Sequence, residues 1–229
     1  MRKYTFATFI CIFFAVVAHA QEEGPRVVKK EPQLSDIYGV LGALHINLFR
    51  FDVSAFLTDV YNVNLYIDEY EKGKEPQRKR TVRLGKNIES LDEIPEEHKA
   101  AFRELKKVPE GKNEWNNITD ISIYLTMPND STAMFTINVP DVMRTNQRVN
   151  LHSVGEHKMY FYNARSFTFK AMEEKDSLNI PLILYGSGWV DERYDIIRFC
   201  GEKEIDPDMK AEILSNIPYY YIVGIELKK

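Results

Sequence analysis

Thr119–Val139, TDISIYLTMPNDSTAMFTINV, decides how the rest of the chain is read. Ile121, Ile123 and Leu125 alternate with Ser122, Tyr124 and Thr126. Further on, Ala133, Phe135, Ile137 and Val139 alternate with Thr132, Met134, Thr136 and Asn138. A period of two puts each apolar set on one face of a sheet, the face that a core covers. Between the runs, Pro128-Asn129-Asp130-Ser131 offers a fixed φ and side chains that bond their own backbone, which is what a turn needs. The stretch reads as a β-hairpin.

The same pattern recurs outward from it. His45–Val53 alternates, and so does Tyr61–Tyr70, with Val63, Leu65 and Ile67 on one face; Arg78–Leu84 pairs back onto the latter. Arg148–Val154 is a strand. Lys158–Met172 is one long strand or two, broken near Asn163-Ala164. In Asn179–Val190, Gly186-Ser187-Gly188 marks a bulge or corner. Tyr194–Cys200 and Tyr219–Leu227 complete the strands.

Helical spacing appears in Ser90–Lys107, with Ile94, His98, Ala101 or Phe102, and Leu105 in step. Ser90 and Glu93 fit a capping box, and Pro95 suits a later start. This helix reads as an insertion packed over a sheet edge or end. Asp206-Pro207 opens a second helix over Met209–Ile217. Leu34–Leu44 reads either as a helix capped by Ser35 or as a bent strand. The expected fold is mainly β, α+β at the margin: an antiparallel β-sandwich or open barrel of about nine or ten strands with two short helices. Residues 34–229 form a single domain, with a split near Lys112 as the alternative.

The N-terminus carries its own instruction. Arg2 and Lys3 precede an apolar run, Phe6–Val17, that is short for a bilayer. Ala18-His19-Ala20 before Gln21 has the small-x-small form of a signal-peptidase site, so residues 1–20 read as a signal peptide cut between Ala20 and Gln21. Residues 21–33 read as a flexible tether. The expected location is exported, periplasmic or at the cell surface, with no membrane span after leader removal. Removing Arg2 and Lys3 takes the net charge from −4 to −6, and no basic run beyond Arg78-Lys79-Arg80 stands out, so a nucleic-acid partner is disfavoured. Cys11 leaves with the leader and Cys200 is then alone, reading as a small buried apolar side chain; a disulfide-free exported chain suits a bacterial periplasm.

Few residues carry a chemical signature. His152, Glu156 and His157 flank a turn and are the weak candidates for a metal, but their spacing matches no zinc pattern and no cofactor is implied. Asp191-Glu192 lies beside Trp189; adjacent strand residues point to opposite faces, so the two make a poor acid/base pair alone. No nucleophile elbow, P-loop or dinucleotide fingerprint is present, and no catalytic residue is assigned.

The aromatics point to binding. Tyr66, Tyr124, Tyr160 and Tyr162 sit on the polar phase of their strands, and with Trp189 they form the candidate binding set. Such rings stack on sugars or pair with proteins because each has an apolar body and a polar tip. The competing reading is a thick sandwich whose second face is covered.

Asp130-Ser131-Thr132 and Asp176-Ser177-Leu178 look like the short sequon that Bacteroidetes use for O-glycosylation of exported proteins, with Ser131 and Ser177 as acceptors. With the leader and the unpaired cysteine, the chain resembles the small uncharacterised exported β-rich proteins of that phylum. The resemblance implies export and no active site. Three functions follow as expectations. The first is a non-enzymatic exported binding module for a glycan or envelope protein. The second is a glycan hydrolase, which needs two or more of Asp191, Glu192, Asp195, His152, Glu156 and His157 in one cleft. The third is an assembly protein that offers an edge strand, Tyr219–Leu227.

Overall fold

The structure is a computed structural model that describes residues 29–156, 158–169 and 175–229. The expected leader, the expected Ala20–Gln21 cut, most of the expected tether and His157 lie outside the described residues. The chain divides into two compact units, one ending at Tyr38 and the other running from Gly39 to Lys229. Residues 29–33 form neither helix nor strand, and the helix α1 (Leu34–Ala43) resolves the open reading of that segment. Its cap is not Ser35: the Asp36 carboxylate reaches back to accept from the Gln33 N–H at 2.7 Å, half of a capping box.

The second unit holds the fold. β1 (Asn47–Asp52), β2 (Asn62–Glu71), β3 (Gln77–Lys86) and β4 (Ile88–Ser90) precede α2 (Glu96–Leu105) and β5 (Glu114–Asn116). The expected hairpin follows as β6 (Asp120–Asn129) and β7 (Thr132–Val139), then β8 (Met143–Asn150). Asn129 builds its turn: its side chain accepts from the Ser131 N–H at 3.1 Å and from the Thr132 hydroxyl at 2.9 Å. β9 (Tyr162–Phe167), β10 (Ser177–Ser187), β11 (Trp189–Asp191), β12 (Ile196–Arg198), β13 (Glu204–Ile205) and β14 (Tyr219–Lys228) complete the order.

Two open sheets form the sandwich. One has the order β1-β6-β7-β8 and the other β13-β9-β10-β14-β2-β3; β4–β5 and β11–β12 are separate two-stranded pieces. All pairings are antiparallel except β13 with β9. The apolar phases meet between the layers. Ile121, Ile123, Leu125, Phe135 and Ile137 pack with Leu65, Ile67, Ile183, Val223 and Ile225 in one buried cluster. Phe135 crosses the gap edge-on to Tyr185 and Tyr221, ring centres 6.1 and 6.4 Å away.

Several expectations change. The final strand is no edge: β14 lies between β10 and β2, in the middle of the larger sheet. Met209–Ile217 is not an α-helix. Only Glu212–Ser215 turns, as 3₁₀, and Ile213 and Ile217 plug the outer face of the six-stranded sheet beside Leu184 and Ile222. The break in the Lys158–Met172 region falls before Tyr162, not at Asn163-Ala164, and Tyr194–Cys200 contributes only Ile196–Arg198. The glycine corner is real and sits at Gly188, where an added Cβ would meet the Arg198 carbonyl at 2.8 Å. Ser90 caps a 3₁₀ turn at Leu91–Glu93, accepting from Asp92 N–H at 3.2 Å, and α2 starts later, after Pro95, with Glu96 and Glu97 at its positive end. The insertion has a small core of its own, Leu91, Val108 and Trp115, against which Ile94 and Phe102 pack.

Candidate functional site

At the end of the sandwich where β10 begins and β14 finishes, the layers do not close among the described residues. A half-open pocket of about 800 Å³ lies under β1, walled by Phe49, Phe51 and Phe56 and floored by Leu178, Ile180 and Ile225. Its lining is mainly apolar and its volume is in the range of ligand sites, about 300–1,000 Å³. Phe51 packs edge-on to Phe169 at 5.8 Å and lies beside Phe49, 6.5 Å away. One buried side chain holds the wall that carries Phe56. Asn87 accepts from the Tyr61 and Ile88 N–H groups at 2.7 and 3.0 Å, and its amide donates to the Phe56 and Asp59 carbonyls at 2.7 and 3.0 Å. Four bonds from one amide leave that loop little freedom.

The other end of the sandwich is shut by polar groups. The Tyr221 hydroxyl lies 2.5 Å from Glu69 Oε1 and 2.5 Å from the Asn150 carbonyl, so its single proton serves two acceptors. Lys79 Nζ reaches Glu69 Oε2 at 2.5 Å, and His152 Nε2 lies 3.1 Å from Oε1. His152 stacks flat on Tyr219 at 4.3 Å. Burial alone would raise the Glu69 pKa; the bonds from Lys79, Tyr221 and His152 outweigh it and hold the carboxyl below its ordinary range. Burial, reinforced by Glu69, pushes the Tyr221 phenol up.

The structure disperses the candidate tyrosines. Tyr66 lies on the outer face of the six-stranded sheet but is buried, its ring over Gly224, where a Cβ would collide with it. Arg78 caps that ring at 4.4 Å while pairing with Asp68 and, at 2.9 Å, with Glu226. Tyr160 and Tyr162 turn toward the core, the reverse of the phase expected, and Met159 and Phe161 are the exposed pair. The reason is the phenol tip: Tyr162 packs 5.1 Å from Tyr185 and its hydroxyl accepts from the His152 N–H at 3.0 Å, so a tyrosine satisfies a position that a phenylalanine could not. Tyr124, on β6, is half-buried.

Trp189 lies in a different place, in a polar crease of the β11–β12 hairpin with Tyr194 and Asn216. There Asp191 is held by Arg198 at 2.5 Å and accepts from the Arg193 N–H at 3.1 Å, so this carboxylate is already engaged. Glu156 is exposed on its turn, and no three His, Cys, Asp or Glu side chains gather as a metal site among the described residues. Cys200 is exposed, not buried. Ser131 and Ser177 are both exposed. Sequence reading missed the pocket; its only local signal was the Phe49/Phe51 alternation in β1.

A family profile described as "Domain of unknown function (DUF5041)" matches residues 16–229. The chain belongs to this family. Comparison with curated proteins and with solved structures gives no match. The DUF5041 match covers both sheets, the pocket and the polar end, so all of these are parts of one family domain.

Proposed function

We propose that this DUF5041 chain is a non-enzymatic exported binding module, periplasmic or at the cell surface, and that its ligand presents apolar groups to the pocket under β1. The observation that carries the reading is the pocket itself: about 800 Å³ of phenylalanine- and aliphatic-lined space, half open, with a wall fixed by Asn87. An envelope protein with exposed apolar side chains fits this lining better than a sugar does. Titration with the apolar dye anilinonaphthalene sulfonate tests it. Phe51→Asp is expected to weaken dye binding by about tenfold or more, equivalent to about 1.4 kcal/mol. Leu105→Asp, which removes a 71% exposed leucine on α2, serves as the control for general surface stickiness. Equal dye binding by the two variants would overturn the pocket reading.

The glycan reading keeps one specific support. Trp189 and Tyr194 line a polar crease with Asp191, Arg198 and Asn216, and Arg198 lies 5.6 Å over the Tyr194 ring. Aromatic faces beside charged donors and acceptors suit a sugar. Trp189→Ala should abolish any glycan-induced thermal shift while leaving the dye titration unchanged; a glycan shift that survives this substitution would remove the crease from consideration.

A further inference from the structure

The pocket borders an unpaired strand edge. β1 pairs with β6 and with no other described strand. The Val53 N–H donates to the Thr119 carbonyl at 2.8 Å, continuing the register Asp52↔Asp120. In an antiparallel ladder alternate residues turn their backbone groups to opposite sides. Phe49, Phe51 and Val53 therefore bond β6, and Leu48, Arg50 and Asp52 direct N–H and C=O to the free side. A row of donors and acceptors that no described strand uses is a template for another strand.

The other edges are guarded. β3 carries Arg80 and Arg83 besides the ion-paired Arg78, Lys79 and Lys86; β8 carries Arg144 and Arg148; β13 is only two residues long. Charge and shortness are how proteins blunt an edge. β1 has two charges, and both are drawn away. Arg50 leans over β6 to Asp120, Nη2 to Oδ1 2.9 Å, and Asp52 accepts from the Ser54 N–H at 2.8 Å.

We infer that β1 receives an extended segment of a partner protein as an added strand, with alternate apolar side chains of that segment entering the pocket beside Phe49 and Phe51. This rests on the binding-module reading and names its partner. An acyl chain would fill the pocket and leave the backbone of Leu48, Arg50 and Asp52 unmet. A helix satisfies its own backbone and offers nothing to the edge. An extended chain meets both demands: its backbone pairs with β1, and its period of two sends every second side chain to the pocket side. β1 is six residues long, so about three side chains enter.

The test uses the full chain and six-residue peptides, matched to β1, in which valine, isoleucine or phenylalanine alternates with threonine. Each is paired with a copy N-methylated at the residues that would face β1. Amide hydrogen exchange is the readout. The unmodified peptides should slow exchange at Leu48, Arg50 and Asp52 by about tenfold or more, and the N-methylated copies should not. If the dye binds but no peptide protects these amides, or N-methylation changes nothing, strand addition is overturned and the pocket reading stands. If neither dye nor peptide binds, both fall. If the three amides are already protected without peptide, a segment of the same chain holds the edge, and the partner is overturned.

Discussion

β10 and β14 run through both ends of the sandwich, and the two ends are built to opposite plans. Where Tyr185 pairs with Tyr221, the layers are stitched by Glu69, Tyr221, His152 and the Asn150 carbonyl, with Phe135 wedged between the rings. Where Ile180 pairs with Ile225, no comparable stitch exists among the described residues and the apolar side chains face open space. Directional bonds at the first end fix how far apart the sheets sit. At the second end of the same two strands, beyond the bulge at Pro181/Ile183, a gap remains.

Substitution should separate the two. Phe135→Ala opens a cavity in the closed end and is expected to cost about 3–5 kcal/mol. Phe51→Ala, at the rim of a space that is already open, lacks the cavity contribution and should cost about 1 kcal/mol. Urea midpoints measure both, and equal losses would mean that the ends are packed alike. Tyr221→Phe removes the donor shared by Glu69 and Asn150 and should cost about 1.5–3 kcal/mol, because one acceptor is a carboxylate. If it also lowers dye affinity at the far pocket, the clasp sets the sheet spacing at both ends; unchanged affinity would confine the clasp to local stability.

Acid should act on the closed end first. Glu69 has a folded pKa held below its unfolded value of about 4.3, so its contribution is complete above that pH and is lost as pH falls through the folded pKa. Wild-type stability should therefore drop more steeply than that of Glu69→Gln below about pH 4.3. Parallel denaturation curves would remove the ionised carboxylate from the clasp. The smallest effect is expected at β1. Arg50→Ala breaks an ion pair whose arginine side chain is 71% exposed, and it should change stability by less than about 1 kcal/mol.

What the sequence disclosed follows the range of the interactions involved. The β6–β7 hairpin was legible because alternation and the Asn129 turn are encoded within a few residues. β14 was legible as a strand but not as a central one, since its neighbours β2 and β10 come from distant segments. The Met209–Ile217 helix failed because Ile213 and Ile217 gain more from plugging the sheet than a single helical turn offers. The phase of Tyr160 and Tyr162 misled because a phenol can serve as a core residue when its tip finds a partner such as the His152 N–H. The role of His152 depends on Glu69, 83 residues away, and the pocket depends on a gap between strands that no local pattern records.

The position of β14 also sets a clock. Asn62 on β2 faces Lys228 across the sheet, 166 residues later. At about 5–20 residues per second, a ribosome needs roughly 10–30 s to deliver the partner of a strand it has already made. For that interval β2 can hold only β3, and the larger layer has no middle. Until Tyr219–Lys228 has been made, the larger sheet stays in two halves, β2 with β3 on one side and β9 with β10 on the other.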